Sequence, residues 1–91
     1  MDHDVFIQPV RAEVELDRRL RRGDSLIVES RDALRDGEIF VAESDAGACV
    51  GRWALTGDLM LYPLESVGLP SRVHREDLRV RGVVIGVKSP L

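Results

Sequence analysis

Hydrophobic and polar residues alternate with a period of two near the start of this chain. Between residues 10 and 16 the even-numbered positions are Val, Ala, Val and Leu, and the odd-numbered positions are Arg, Glu and Glu. This period predicts a strand with one buried face. Residues 15–22 also allow a short helix, because Leu16 and Leu20 are four residues apart and Gly23 could end it.

Further apolar runs follow, and each is bounded by a turn signal. They lie at residues 25–28, 38–42, 48–55, 59–64 and 78–87. The segments between them contain glycine, aspartate or proline, which favour tight turns. Short strands at near-regular intervals predict a mostly β fold, a compact antiparallel β domain. Residues 38–64 predict a meander of successive hairpins, and the longest loop is predicted at 65–77.

The length and charge of the chain limit what it can be. Its 91 residues predict one domain, with residues 1–9 as an N-terminal strand or arm and residues 10–91 as the domain itself. A net charge of −3 argues against direct binding to nucleic acid or to an anionic membrane. No basic region precedes a long apolar run, so we expect a cytoplasmic protein. A single cysteine, Cys49, without clustered histidines predicts no disulfide, metal or cofactor site.

Four arginines lie close together in the sequence RRLRR, at Arg18, Arg19, Arg21 and Arg22. Concentrated arginine is typical of phosphate binding, which would make this segment a nucleic-acid patch. Aspartates flank the cluster, however, and no aromatic residue is interleaved for base stacking. The pattern therefore favours a solvated face or a surface for an acidic protein partner.

The string Gly-Asp-Ser-Leu at residues 23–26 makes Ser25 a candidate nucleophile, because this string names a class of serine esterases. Such a serine needs a histidine base, and the chain offers His3 and His74. Those esterases carry the serine in a much larger α/β sheet, whereas Ser25 opens a predicted strand in a short chain. An unrecognised hydrolase that uses Ser25, Ser30 or Cys49 with His74 remains an alternative.

Four motifs occur in a fixed order along the chain: GDSLIVES, DGEIFVAE, CVGRW and VRGVVIGV. In this order and spacing, residues 10–88 resemble the C-terminal domain of the LexA and UmuD family of self-cleaving serine peptidases. The resemblance implies a Ser-Lys dyad, but its serine position falls on Val14 and its lysine position on Gly51. The neighbouring Arg52 cannot act as the base, since its guanidinium stays protonated. The resemblance thus predicts a domain that is not an enzyme.

Family members dimerise, and the resemblance places part of the interface near the C-terminus. The corresponding apolar residues are Val80, Val83, Val84, Ile85 and Val87. We therefore expect a homodimer, or a heterodimer with a related LexA- or UmuD-like protein, formed through an exposed edge at these residues.

That expectation leaves other interpretations open. The last strand could instead be a central core strand, and an unrelated small β domain could bind a ligand in a shallow cleft around Val14 and Gly51. The function implied by the resemblance is an interaction module in the bacterial response to DNA damage (SOS) or in phage repressor regulation. An error-prone DNA polymerase is a further possible partner.

Overall fold

The computed structural model describes residues 4–16, 18–31 and 33–90. These residues form nine strands and one short 3-10 helix, at Arg75–Asp77. The strands are β1 (Val5–Pro9), β2 (Val14–Glu15), β3 (Arg19–Leu20), β4 (Ser25–Glu29), β5 (Ile39–Ser44), β6 (Gly47–Arg52), β7 (Leu59–Pro63), β8 (Ser71–Val73) and β9 (Arg79–Lys88). In this part of the chain no helix is long and apolar enough to cross a membrane.

Seven of the described strands form one antiparallel sheet in the order β1-β4-β9-β5-β6-β7-β8. The prediction of a mostly β, antiparallel domain is therefore confirmed. The predicted meander at residues 38–64 corresponds to β5, β6 and β7, which are consecutive in the sheet. Residues 14–20 form the small β2-β3 hairpin rather than the alternative helix. The predicted loop at 65–77 contains β8 and the 3-10 helix, which are too short to produce a readable hydrophobic period.

The sheet is buried on both faces where β5 and β6 lie. The first core cluster consists of Val10, Val14, Leu20, Leu26, Val28, Val41, Ala48, Val50 and Leu64. The second consists of Phe40, Ala42, Cys49, Leu59 and Leu61. Along β5, Val41 belongs to the first cluster while its neighbours Phe40 and Ala42 belong to the second. Two-sided burial explains why β5 and β6 read as nearly continuous apolar runs.

The long strand β9 carries two irregularities that change which face its side chains point to. Its register against β4 shifts at Ile85, and its register against β5 shifts at Arg81. A glycine follows each of these extra residues, at Gly82 and Gly86. Bulges of this kind increase the local twist of a strand. The sheet bends enough for the backbone N–H of Arg11 to donate to the carbonyl of Leu64, beyond β7.

Candidate functional site

The Gly-Asp-Ser segment forms a turn that leads into β4. The N–H of Asp24 donates to the carbonyl of Arg21 at 2.9 Å, and Gly23 occupies the third turn position with a φ of 98°. The buried carboxylate of Asp24 accepts a hydrogen bond from the N–H of Arg21 at 2.9 Å. Turn geometry therefore explains the glycine and the aspartate of this string.

The structure does not bring Ser25 and His74 together. Ser25 begins β4 and pairs with Pro9 and Lys88. His74 follows β8, at the other edge of the sheet, and four strands separate β4 from β8 in the sheet order. Its Nδ1 atom accepts a hydrogen bond from the N–H of Glu76 at 3.3 Å, so His74 caps the 3-10 helix. The other candidate base, His3, lies outside the described residues.

The two further candidate nucleophiles, Cys49 and Ser30, lie in the core and directly after β4. The Cys49 thiol is buried in the second cluster, and burial raises the pKa of this thiol above its ordinary value. A raised pKa disfavours the thiolate, which is the reactive form. Ser30 follows β4, where its N–H donates to the carbonyl of Asp4 at 2.7 Å. In the part of the chain that the structure describes, three or more Cys, His, Asp or Glu side chains do not come together as a metal site.

Val14 and Gly51, the positions of the missing dyad, lie on opposite faces of the seven-stranded sheet. Val14 is buried in the first cluster. A Cβ atom on Gly51 would lie 2.9 Å from Cζ of Phe40, in the second cluster, and 2.6 Å from the carbonyl oxygen of Met60. Both positions are buried, so they do not line a shallow cleft. The interpretation as a vacated dyad, or as a ligand site, gains no support from this geometry.

The predicted dimer edge at the last strand is corrected by the sheet order. β9 lies between β4 and β5, so both sides of its backbone are paired. Val83 is buried, Val84 and Val87 pack against the first cluster, and Val80 packs against the second. Ile85 alone among the five named residues is more than half exposed. The central-strand alternative is the one that the structure supports.

The arginine cluster lies on β3 and in the residues directly before and after it. Arg18, Arg19, Arg21 and Arg22 are all exposed. Arg19 lies 3.7 Å from the Glu15 carboxylate, an exposed ion pair that contributes little to stability. Exposure agrees with the predicted solvated face.

The position of β1 at one edge of the sheet is a feature that the sequence did not reveal. The N–H of Ser30 donates to the carbonyl of Asp4, and the N–H of Val10 donates to the carbonyl of Asp24. These two pairs fix the antiparallel ladder, so residues 4, 6, 8 and 10 direct their backbone groups toward β4. The backbone groups of Val5, Ile7 and Pro9 point outward, away from the sheet.

The side chains of β1 alternate between the two faces of the sheet. Phe6 packs against the first cluster, and the Arg81 guanidinium lies 5.1 Å from the centre of its ring. On the other face, Val5 and Ile7 are 53% and 55% exposed. The inner face thus anchors β1 to the domain, while the outer face and the outer edge are available for contact.

A charged cluster joins the segment after β4 to the start of β5. Arg31 donates to the carboxylates of Glu29 and Glu38, and Glu38 also accepts from the N–H of Arg35 at 2.6 Å. The hydrogen bond from Arg31, followed by that from Arg35, lowers the pKa of Glu38 below its ordinary value of 4.5. The ionised form of Glu38 is therefore favoured in the folded state.

We expect the Glu38 carboxylate to stabilise the fold at neutral pH and to lose this effect in acid. Because its pKa is lower in the folded state, the stabilisation is complete above about pH 4.5 and is lost as the pH falls through the lowered value. Urea denaturation from pH 7 to pH 3 should show that Glu38→Gln is less stable than the original chain at pH 7, with a difference that shrinks in acid. The exposed Glu13→Gln serves as the control, and an unchanging Glu38→Gln difference across this range would contradict the assignment.

Comparison with known proteins adds no relative to this picture. No protein-family model, curated protein or solved structure matches the chain. The fold and the site define a small antiparallel β domain whose sheet has β1 at one edge and β8 at the other. Its relation to the LexA and UmuD family stays a prediction from the four sequence motifs.

Proposed function

We propose that this chain is a catalytically inactive interaction module that pairs a strand of another protein chain with the open edge of β1. The open edge consists of the outward backbone groups of Val5, Ile7 and Pro9 and the side chains of Val5 and Ile7. The observation that carries the proposal is that both side chains are more than half exposed on a strand paired on one side only.

Backbone geometry supports strand addition at this edge. Val5 and Ile7 each direct one N–H and one C=O outward, and an added strand would satisfy these groups through main-chain hydrogen bonds. Edge strands that must stay unpaired are usually protected by charge, by proline or by a bulge. Pro9 blocks one end of β1, but the two exposed residues before it are apolar and uncharged. The edge is therefore protected only in part.

The resemblance suggests which proteins such a module would contact. A related repressor or UmuD-like subunit is the first class, and an error-prone DNA polymerase is the second. Both classes, and the link to the response to DNA damage or to phage repressors, are predictions from the sequence motifs. Genomic neighbourhood would separate them, because an adjacent polymerase gene favours the repair context and an adjacent prophage repressor favours the other.

Sedimentation velocity from about 1 to 200 µM tests the proposal with the variant Ile7→Pro. Proline at position 7 removes an N–H that points outward, so we expect the fold to survive and association to be lost. Gln8→Pro is the matched control, because the N–H of Gln8 points toward β4. Loss of this inward N–H should destabilise the domain, whereas loss of the outward N–H of Ile7 should not. An Ile7→Pro variant that associates as the original chain does would overturn the proposal.

The hydrolase alternative has its own test. Incubation at alkaline pH with a serine-reactive probe, followed by mass spectrometry, should leave the chain unbroken and unlabelled. Specific labelling of Ser25 would show that the domain is an enzyme after all.

A further inference from the structure

We infer that the strand accepted at the open edge is β1 of a second copy of this chain, paired antiparallel about a two-fold axis at Ile7. This inference rests on the proposed function and specifies its partner. It follows from three features of β1: the pattern of its outward backbone groups, the match of its apolar side chains and the opposite charges at its two ends.

The backbone groups define how far such a ladder extends. With Ile7 opposite Ile7 of the second copy, two hydrogen bonds join these residues, and the N–H of each Val5 reaches the carbonyl of the opposing Pro9. The ladder stops there, because Pro9 has no N–H to return and the N–H of Arg11 already donates to the carbonyl of Leu64 at 2.7 Å. The pairing is therefore short and has a defined end.

The exposed side chains match across the axis in this register. Ile7 meets its own copy, and Val5 meets Pro9, so that apolar groups from both strands form one continuous stripe on the outer face. Ile27 continues the stripe inward, since it lies directly opposite Ile7 on β4. The contact is nevertheless smaller than a standard interface, so we expect a dissociation constant on the order of tens of micromolar.

Charge favours the antiparallel direction. β1 is preceded by Asp4 and followed closely by Arg11, and both side chains are exposed. Antiparallel pairing brings the acidic end of each strand toward the basic end of the other. Parallel pairing would instead place Asp4 beside Asp4. Because the two-fold contact occupies β1 in both copies, the assembly closes as a dimer and leaves no β1 edge for a third chain.

Disulfide trapping tests the register. In the proposed pairing the Cα atoms of the two Ile7 residues lie about 5.5 Å apart, within the range that a disulfide bridges. Ile7→Cys should therefore form a covalent dimer under mild oxidation. The original chain is the first control, because Cys49 is buried, and Ile85→Cys is the second, because Ile85 is 53% exposed but lies away from the axis. Neither control should cross-link at the same protein concentration.

A charge exchange tests the direction of pairing. Asp4→Arg alone should weaken dimerisation about three- to tenfold at low salt, as should Arg11→Asp, whereas the two substitutions together should restore it. Failure of the double variant to recover would overturn the antiparallel arrangement.

The outcomes separate this inference from the proposed function. Association that is blocked by Ile7→Pro without an Ile7→Cys cross-link overturns the two-fold register but leaves strand pairing at the open edge intact. A monomeric chain up to about 200 µM overturns the self-paired dimer, whereas strand pairing with a different protein at the open edge would survive this result.

Discussion

Replacing Gly82 with alanine is expected to lower the free energy of unfolding by about 3 kcal/mol or more. A Cβ atom at this position would lie 2.3 Å from the carbonyl oxygen of Glu29 and 2.8 Å from Cγ1 of Val28. The carbonyl belongs to the backbone of β4, which is hydrogen-bonded in the sheet and cannot move without breaking the ladder. Urea denaturation followed by the fluorescence of Trp53, the only tryptophan, measures the effect.

Gly86→Ala is the matched control for this prediction. Gly86 lies on the same strand and follows the bulge at Ile85. A Cβ atom added to Gly86 would meet the end of the Ile27 side chain at 3.3 Å. A flexible side chain can turn aside, so we expect a change within about 1 kcal/mol. Equal losses for the two variants would show that the approach of β4 is not what requires Gly82.

Rebuilding the peptidase dyad with Val14→Ser and Gly51→Lys is expected to unfold the domain without producing a self-cleaving enzyme. The first atom of the lysine side chain would lie 2.6 Å from the Met60 carbonyl, and the two substituted positions face opposite sides of the sheet. Overpacking at position 51 should cost about 3 kcal/mol or more, and an unpaired buried hydroxyl at position 14 about 1–3 kcal/mol.

Denaturation curves of both single variants and of the double variant check the stability part of this prediction. Mass spectrometry after alkaline incubation checks the chemistry. Cleavage at one defined bond in the double variant, absent from both single variants, would contradict the opposite-face geometry and restore the dyad interpretation.

Local features of the fold follow from the sequence because they depend on near neighbours. The alternation at residues 10–16 correctly separates buried Val10 and Val14 from exposed Glu13, although hydrogen bonding makes only Val14–Glu15 a strand. The turn at Gly23 and the hairpin between β5 and β6 are likewise set by a few adjacent residues. Such signals were enough to predict the fold class.

Sheet order and facing depend on contacts between distant segments, which alternation cannot encode. The apolar run of β9 is compatible with an edge strand or with a central one, and only its pairing with both β4 and β5 decides between them. Val5 and Ile7 likewise look like ordinary strand residues until β1 is known to be the edge. The sequence resemblance places Val14 and Gly51 at the two catalytic positions of the LexA and UmuD family. It could not show that these two positions lie on opposite faces of the sheet.

The position of β9 also has a consequence for how this domain forms during synthesis. Among the described strands, β1 and β4 pair with each other, as do β5, β6, β7 and β8 in order, and β9 is the strand that pairs with both groups. While residues 79–88 are still inside the ribosome, β4 and β5 therefore lack the strand that pairs with both of them in the folded sheet. The final assembly must wait for this segment to insert between them, which makes the nascent chain dependent on late, long-range pairing.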